Sequence, residues 1–579
     1  MRITELLGKK IILFDGAMGT MLQSAGLSGG ELSEAYNIEN PETVRAIHRA
    51  YLEAGSDVVT TNTLGANSLH LRGSSYSPSR VIEAGIGNCK AAVADAGKGF
   101  VALDIGPSGK LVDMTDDFDF DDAYELFREQ IVAGTEAGAD LILFETFTDV
   151  VELKAGVLAA KEHSDLPVFC SLTFSENGRT LTGSDPVTVV RMFQDMGIAA
   201  IGINCSLGPA ETLPLIEEMT AVSKIPVLAQ PNAGLPHAEN GTTSYDVSES
   251  DFALHAERIL EAGAAAVGGC CGTTPAYISE LSARLRAAGD EEKVRRFPAL
   301  QTGFLSERIA SSCPTACAVV KSVALDGRTR IVGGRINPTG RREIEEALSS
   351  GDYARLTKEA VKQSKAGADI VDVNAGSPNI DEEEALSRLV RKISLKGNIP
   401  LMIDCKDPRR AERALRYCRG KAIINSVTGE RASMDAVFPI AAKYGTAVVA
   451  LAMDEKGVPA SAEERLSILE KLLSEAAKYG IGKDRIIVDM LALSLKTAPG
   501  AARETLRAVT AAGERYGVKT ILGADNISFG LPERGSVTSA FLSMAVYAGL
   551  DAAITDPTVA EYKDAVKSAE SIMGGDPGV

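Results

Sequence analysis

The sequence predicts an α/β protein built as two tandem (β/α)8 TIM barrels. Short apolar runs alternate with stretches of helical periodicity eight times in each half of the 579-residue chain. A phrase in which Ala-Gly precedes an apolar run recurs along the chain, and the alternation lapses only once, near the middle.

In the first half the apolar runs lie near 11–14, 57–61, 100–104, 140–144, 167–172, 200–204, 226–230 and 264–268. Amphipathic stretches such as Asp121 to Ala137 and Asp149 to His163 separate them. The recurring phrase is Glu53-Ala54-Gly55-Ser56-Asp57, then Glu136-Ala137-Gly138-Ala139-Asp140, Glu261-Ala262-Gly263 and Lys365-Ala366-Gly367-Ala368-Asp369. Its glycine suits the left-handed residue that ends a helix before a buried parallel strand. From Gly289 to about Arg330 the periodicity gives way to Phe297-Pro298 and Cys313-Pro314-Thr315-Ala316-Cys317. The expected organisation is therefore a barrel over 1–290, a linker over 291–325 and a second barrel over 326–579. Cys313 and Cys317 read either as a redox pair or metal clip, or as residues of a linker. The second barrel's strands are expected near 330–336, 369–373, 400–404, 421–425, 447–452, 485–489, 519–523 and 552–555.

A hydrophobic content of 45% can fill large cores, and nowhere do eighteen apolar residues run together. No long apolar segment follows the charges of the N-terminus, so a cytoplasmic protein is expected. Nine cysteines spread over a long chain fit a reducing compartment and metal or catalytic use better than a disulfide framework. The net charge of −18 argues against binding nucleic acid or an anionic membrane.

Three cysteines stand out: Cys270 and Cys271 in Gly268-Gly269-Cys270-Cys271-Gly272-Thr273-Thr274-Pro275, and Cys205 in Gly202-Ile203-Asn204-Cys205-Ser206. Each follows an apolar run, and functional residues of such barrels gather where strands end, so all three sulfurs can meet at one rim. Three thiolates suit zinc and leave a fourth position open. The alternative is that they are small buried hydrophobes, although one of two adjacent residues must point away from the interior. Other strand ends carry Asp15-Gly16-Ala17, Thr61-Asn62-Thr63, Asp104-Ile105-Gly106-Pro107, Glu145-Thr146 and Pro231-Asn232-Ala233-Gly234. Asp15 and Glu145 are candidates to hold a substrate ammonium, and the turn at Gly16 to offer N–H groups to a carboxylate. Any one of them can instead cap the following helix.

All five histidines lie in the first half, so chemistry on the second barrel rests on carboxylates, amides and hydroxyls. Its strand ends carry Arg335-Ile336-Asn337, Asp372-Val373-Asn374, Asp404, Asn425-Ser426, Asp489 and Asp525-Asn526-Ile527-Ser528. Such a rim matches the donors and acceptors of a pterin edge, but aspartates at strand ends also serve metals and sugars.

The motifs Phe14-Asp15-Gly16-Ala17-Met18-Gly19-Thr20, Phe144-Glu145-Thr146-Phe147, Gly202 to Pro209, Pro231 to Gly234 and Gly268 to Pro275 closely resemble the homocysteine-binding module of the cobalamin-dependent methionine synthase family. The resemblance implies zinc on Cys205, Cys270 and Cys271, with Asn232 in the fourth position until homocysteine displaces it. Asp15, Gly16, Ala17, Asn62 and Glu145 would then bind homocysteine. The second half resembles that family's methyltetrahydrofolate module. This implies a pterin held by Asp372, Asn374, Asp404, Asn425, Asp489 and Arg534, with Asn526 near N5 and Asn526 and Asp489 as the catalytic residues. The chain departs from the family pattern at Gly334, where glutamate is usual, at Met490, where proline is usual, and at Asp525, where serine is usual. Dihydropteroate synthase shares the barrel type but carries Ser-Arg-Lys where Asp525-Asn526-Ile527-Ser528 stands here.

By this resemblance the chain is a methyltransferase that makes methionine and tetrahydrofolate from homocysteine and 5-methyltetrahydrofolate, with cobalamin as carrier. The second half has no histidine to ligate cobalt. The cobalamin is therefore expected free, on a separate corrinoid protein, or on a module outside this chain. Two alternatives are a corrinoid-protein:tetrahydrofolate methyltransferase of methyl catabolism and a thiol- and folate-binding protein with a degenerate second site.

Overall fold

In the computed structural model each apolar run of the first half becomes one parallel strand: Ile12–Leu13, Val58–Thr60, Phe100–Ile105, Leu141–Phe147, Val168–Leu172, Ala200–Asn204, Val227–Gln230 and Ala266–Val267. Each pairs with its neighbour in chain order, the last pairs with the first, and a bridge between Phe14 and Val58 joins the first to the second. The ring is closed, with helices between the strands. Their starts follow local chemistry: Asp119 accepts from the N–H groups of Asp121 and Asp122 ahead of Phe120–Ala137, and Asp149 accepts from Val151 ahead of Val150–His163. The glycines of the recurring phrase, Gly55, Gly138, Gly263 and Gly367, all have positive φ, between 84° and 121°. Structure is described for residues 2–574 except 29, 115–116, 236, 240–241 and 378–379, with backbone alone at 237–239 and 242–243.

Inside this barrel Ile12, Phe14, Val58, Leu141, Leu143, Phe169 and Leu228 form one buried cluster, which Ile3 joins. Packing is close enough that a Cβ on Gly202 would lie 1.9 Å from the carbonyl oxygen of Leu228 on the adjacent strand. Both sides of that clash are backbone, so the sheet itself must part. Gly202→Ala is expected to cost about 3 kcal/mol, read as a lower urea midpoint, and to lower metal content because Cys205 comes directly after the strand that Gly202 belongs to. An unchanged midpoint would show that the sheet yields freely.

The second half forms a closed parallel barrel of eight strands: Arg330–Ile336, Ile370–Val373, Leu401–Asp404, Ile423–Thr428, Val448–Leu451, Ile486–Asp489, Lys519–Gly523 and Ala552–Thr555. The chain divides into two compact units, Met1–Ala310 and Ser311–Val579. The stretch over 291–325 is more than a connection. It carries the helix Phe304–Ser311 and an antiparallel hairpin, Thr315–Cys317 with Ser322–Ala324. Ala316 and Val323 of the hairpin, with Leu325, join Val332, Ile370, Met402 and Ile487 in one cluster, so the hairpin plugs the amino end of the second barrel. Cys317 is buried in it, and its backbone exchanges two hydrogen bonds with Lys421. Neither Cys313 nor Cys317 belongs to a metal-ligand cluster among the described residues. No described helix is long and apolar enough to cross a membrane.

Candidate functional site

The sixth strand of the first barrel ends at Asn204, and Cys205 and Ser206 then both adopt left-handed backbone angles, φ 62° and 59°. Few non-glycine residues sit there. The double turn breaks the line of the strand at the barrel mouth. After the eighth strand come Gly268 and Gly269, where a Cβ would lie 2.6 Å from Phe14 Cβ and 2.3 Å from Thr273 Oγ1. Glycine alone allows so close an approach. Cys270 N donates to Pro231 O (2.8 Å), Gly269 N to Asp15 O (2.9 Å) and Thr273 Oγ1 to Cys270 O (2.7 Å), which pins the cysteine pair between the first and seventh strands. The three Sγ atoms come within 4.8 Å of one another, with Cys205 and Cys271 3.8 Å apart.

This donor set fits a soft divalent ion. Hydrogen bonds from Cys205 and Cys270 draw the Cys271 thiol well below its ordinary range, while contact with Cys205 and Cys271 pushes Cys270 well above it. A bound divalent cation would offset the mutual repulsion of three thiolates and let all three ionise. Asn232 Oδ1 is buried without a hydrogen-bond partner among the described residues, and the residue before it, Pro231, accepts from Cys270 N.

Asn204, fully buried, ties the site together. Its Oδ1 accepts from Thr146 N and Ser171 Oγ (both 2.8 Å), and its Nδ2 donates to Thr146 Oγ1 (2.8 Å) and faces Cys270 Sγ at 4.0 Å. Tyr245 gives Cys271 a further side-chain hydrogen bond. Beside the sulfurs lies a cavity of about 250 Å³, lined by Asp15, Gly16, Ala17, Asn62, Asp104, Glu145, Gln230 and the three cysteines. Asp15 accepts from Thr60 N (2.7 Å) and Thr60 Oγ1 (2.8 Å), and burial raises its carboxyl to about 7. Burial also raises Glu145, reinforced by Asp15 and Cys271. Asn62 donates to Ser33 O (2.6 Å) and so fastens the wall. Asn232 is not among the lining residues. Asp104 and Thr146 are read from the sequence as strand-end residues without a role of their own, whereas Asn204, Gln230 and Tyr245 were not singled out. An amide directly before the strand-end cysteine was a signal for Asn204, whereas nothing local marks the others.

At the mouth of the second barrel a cavity of about 560 Å³ is lined by Asp372, Asp404, Asn425, Asp489, Asp525, Asn526 and Arg534, together with Arg341 and Lys406. Asn374 is not in the lining. It donates to Asp404 Oδ2 (2.9 Å) and holds that carboxylate in place. Burial, then the charge of Asp404, pushes Asp372 well up. Asp489 Oδ1 accepts from Leu491 N (2.7 Å), and burial raises the group to about 7 against the pull of Arg465. Arg465 is itself fully buried and donates to Met490 O, Leu491 O and Thr505 Oγ1, bracing the loop that carries Asp489.

At Gly334 the carbonyl oxygen accepts from Arg341 Nη1 (2.8 Å), and a Cβ would press on Ile554 Cγ2 at 3.0 Å. Asp525 accepts from Thr555 Oγ1 (2.7 Å). Gly523 leaves room for Asn526, whose Nδ2 would lie 2.8 Å from a Cβ there. Arg335 is engaged outside the cavity by Glu359 and Asp556, each at 2.5 Å.

Residues 12–285 match the homocysteine S-methyltransferase family, and residues 333–556 match the pterin binding enzyme family. Over 95% of its length the chain is 31% identical to a methionine synthase of Mycobacterium tuberculosis and 29% identical to that of Mycobacterium leprae. It spans about half the length of these curated relatives, 48% of each. Among solved structures it is similar to the metallated homocysteine methyltransferase MmuM of Escherichia coli, with a TM-score of 0.42 and 24% identity over 48% of this chain and 96% of that one.

Proposed function

We propose that the chain methylates homocysteine with 5-methyltetrahydrofolate as donor, a reading supported by its match to the homocysteine S-methyltransferase family over 12–285, its match to the pterin binding enzyme family over 333–556 and its similarity to methionine synthases. The observation that carries the reading is the convergence of Cys205, Cys270 and Cys271 beside a cavity that ends in carboxylates. A thiol-bearing amino acid needs a soft ion at one end and polar partners at the other.

In this reading Cys205, Cys270 and Cys271 hold zinc, and Asn232 is the residue a substrate thiol replaces. When bound, the metal lowers the pKa of the incoming thiol so that thiolate forms near neutral pH, and three anionic sulfurs keep that thiolate nucleophilic. Asn204 and Tyr245 orient the sulfurs through the contacts described above. Asp15 and Asn62 shape the wall, the turn at Gly16 and Ala17, where Ala17 N is engaged by Thr273 Oγ1 (3.2 Å), offers its remaining N–H groups to the substrate carboxylate, and Glu145 faces its ammonium.

On the second barrel Asp372, Asp404, Asn425 and Asp489 accept from or donate to the pterin edge, Asn374 positions Asp404, and Arg534 lines the site. The methyl group leaves a tertiary amine, a poor leaving group, so the contribution asked of Asn526 is a hydrogen bond at N5 that strengthens in the transition state. The two half-reactions would be linked by cobalamin, either free or borne by a corrinoid protein or module.

The test is methyl transfer from 5-methyltetrahydrofolate to cob(I)alamin, paired with methylation of homocysteine by methylcobalamin. Both half-reactions are expected, and a chain that performs neither refutes the reading. Calorimetric titration with 5-methyltetrahydrofolate is expected to give saturable heat. Because Asp489 must be ionised to accept from the pterin and burial holds it near 7, affinity should fall as pH drops through that value. The limit is about tenfold per pH unit. Equal affinity at pH 6 and pH 8 would remove Asp489 from that role.

A further inference from the structure

Arg465 lies on the helix Ala462–Lys478, is fully buried and stands outside the pterin cavity. Among the described residues its guanidinium bonds to no carboxylate. Nε donates to Pro459 O (3.0 Å), Nη1 to Met490 O, Leu491 O (3.2 Å) and Thr505 Oγ1 (2.9 Å), and Nη2 has no partner among those residues. These contacts grip the loop that follows Asp489. Leu491 at its start has φ 62°, a conformation few residues with a side chain adopt, and Thr505 Oγ1 donates to the same Leu491 carbonyl (3.0 Å). Held in that turn, Leu491 N donates to Asp489 Oδ1 (2.7 Å). Farther on, Leu495 N donates to Ile527 O (3.0 Å) and Ser494 Oγ to Phe529 O (2.7 Å), so the loop also rests on the turn that carries Asn526.

Neutral donors could serve three carbonyls and a hydroxyl equally well, and burying an unpaired charge is costly. A positive charge here calls for a counter-charge. Two acids act on Arg465, Asp489 and Glu504. Glu504 is committed elsewhere, with one oxygen on Ala462 N (3.0 Å) and the other on Arg507 Nη1 (3.0 Å). Asp489 is the acid left. Around Asp489 the cavity presents the acids Asp372, Asp404 and Asp525 and the cations Arg341, Lys406 and Arg534, and it is Arg465, from outside the cavity, whose charge draws on it.

We propose that Arg465 is a positioning residue of the pterin site, fixing Asp489 through Leu491 and supplying the buried positive charge that keeps its carboxylate ionised for the pterin. This rests on the folate reading above and adds to it a residue that touches neither substrate nor cavity. A nearby cation favours the charged form of an acid. Without Arg465 the Asp489 carboxyl therefore gains its proton at higher pH, and the pterin loses its acceptor.

The experiment is calorimetric titration of the full chain with 5-methyltetrahydrofolate between pH 6 and pH 9, on the intact protein, Arg465→Met and Arg465→Lys. Arg465→Met is expected to move the pH at which affinity falls upward by at least about one unit. Binding at pH 7 then weakens by up to about tenfold for each unit moved. Arg465→Lys keeps a charge but not the planar fork, so it should lower affinity at every pH yet move the midpoint less than Arg465→Met does. The proposal is overturned if Arg465→Met lowers affinity equally at every pH with the midpoint unmoved, which is the mark of a merely structural residue, or if it changes neither. Should neither variant fold, Asp489→Asn decides. At pH 8 it strands the charge of Arg465 and is expected to lower the urea midpoint, whereas an unchanged or raised midpoint overturns the proposal. An intact chain that gives no saturable heat fails the folate reading itself, whereas saturable binding whose pH midpoint Arg465→Met leaves in place fails this proposal alone.

Discussion

Cys270→Ser protein is expected to purify with less than about a tenth of the zinc held by the unaltered chain, since even outer contacts of a metal site change affinity 10- to 100-fold and this change removes a ligand. Methylation of homocysteine by methylcobalamin should fall at least about 1,000-fold. The magnitude has two parts. A thiol with a pKa near 8.5 is only about 3% thiolate at pH 7, so loss of the ion costs about 30-fold in nucleophile. Loss of a fixed sulfur position costs the rest. The folate half-reaction, which belongs to the other barrel, should keep its rate. Metal analysis and the two half-reactions measured side by side check this. Full zinc occupancy in the variant would mean that the three sulfurs do not act as one ligand set, despite lying within 4.8 Å of one another.

Asn526→Ala is expected to slow methyl transfer from 5-methyltetrahydrofolate to cob(I)alamin roughly 100- to 1,000-fold, the usual cost of removing one hydrogen bond made to charge that develops in the transition state. The side chain is exposed to the cavity in the short turn Ala524–Ser528, and its removal vacates little packed volume. Folate affinity should therefore stay within about threefold, so that the loss appears in kcat and not in KM. If affinity and rate fall together, Asn526 holds the pterin without helping the methyl group leave. If neither changes, N5 is served by another group.

Much of this architecture was legible from local pattern. A buried parallel strand needs a run of apolar residues and a glycine to end the preceding helix, so the strands at 200–204 and 519–523 could be located without any knowledge of their neighbours. The cysteine pair was legible for a similar reason. Two polarisable side chains after two glycines at a strand end have few other uses, and Cys205 occupies the equivalent place two strands earlier in sequence.

What local pattern could not reveal depends on partners far away in the chain. The hairpin over 315–324 reads as a connection because its apolar residues are few, and it becomes the floor of a barrel only when strands as distant as Ile486–Asp489 close around it. Arg465 looks like an ordinary helix-surface arginine, yet it is buried under the Asp489 loop because the carbonyls of Met490 and Leu491 need its donors. Asn374 resembles its neighbours on the rim but spends its amide on Asp404.

The two eightfold alternations, the strand ends that carry chemistry and the sulfur donors are written in residues adjacent along the chain, and so could be read before any fold was known. Which acids keep unengaged oxygens could be seen only in the folded chain. Asp15 and Asp104 read alike as strand-end aspartates, and closure of the barrel gives Thr60 to one and, among the described residues, no donor to Oδ1 of the other. Hydrogen-bond satisfaction is a property of the surroundings of a group, and those surroundings exist only once distant segments have packed.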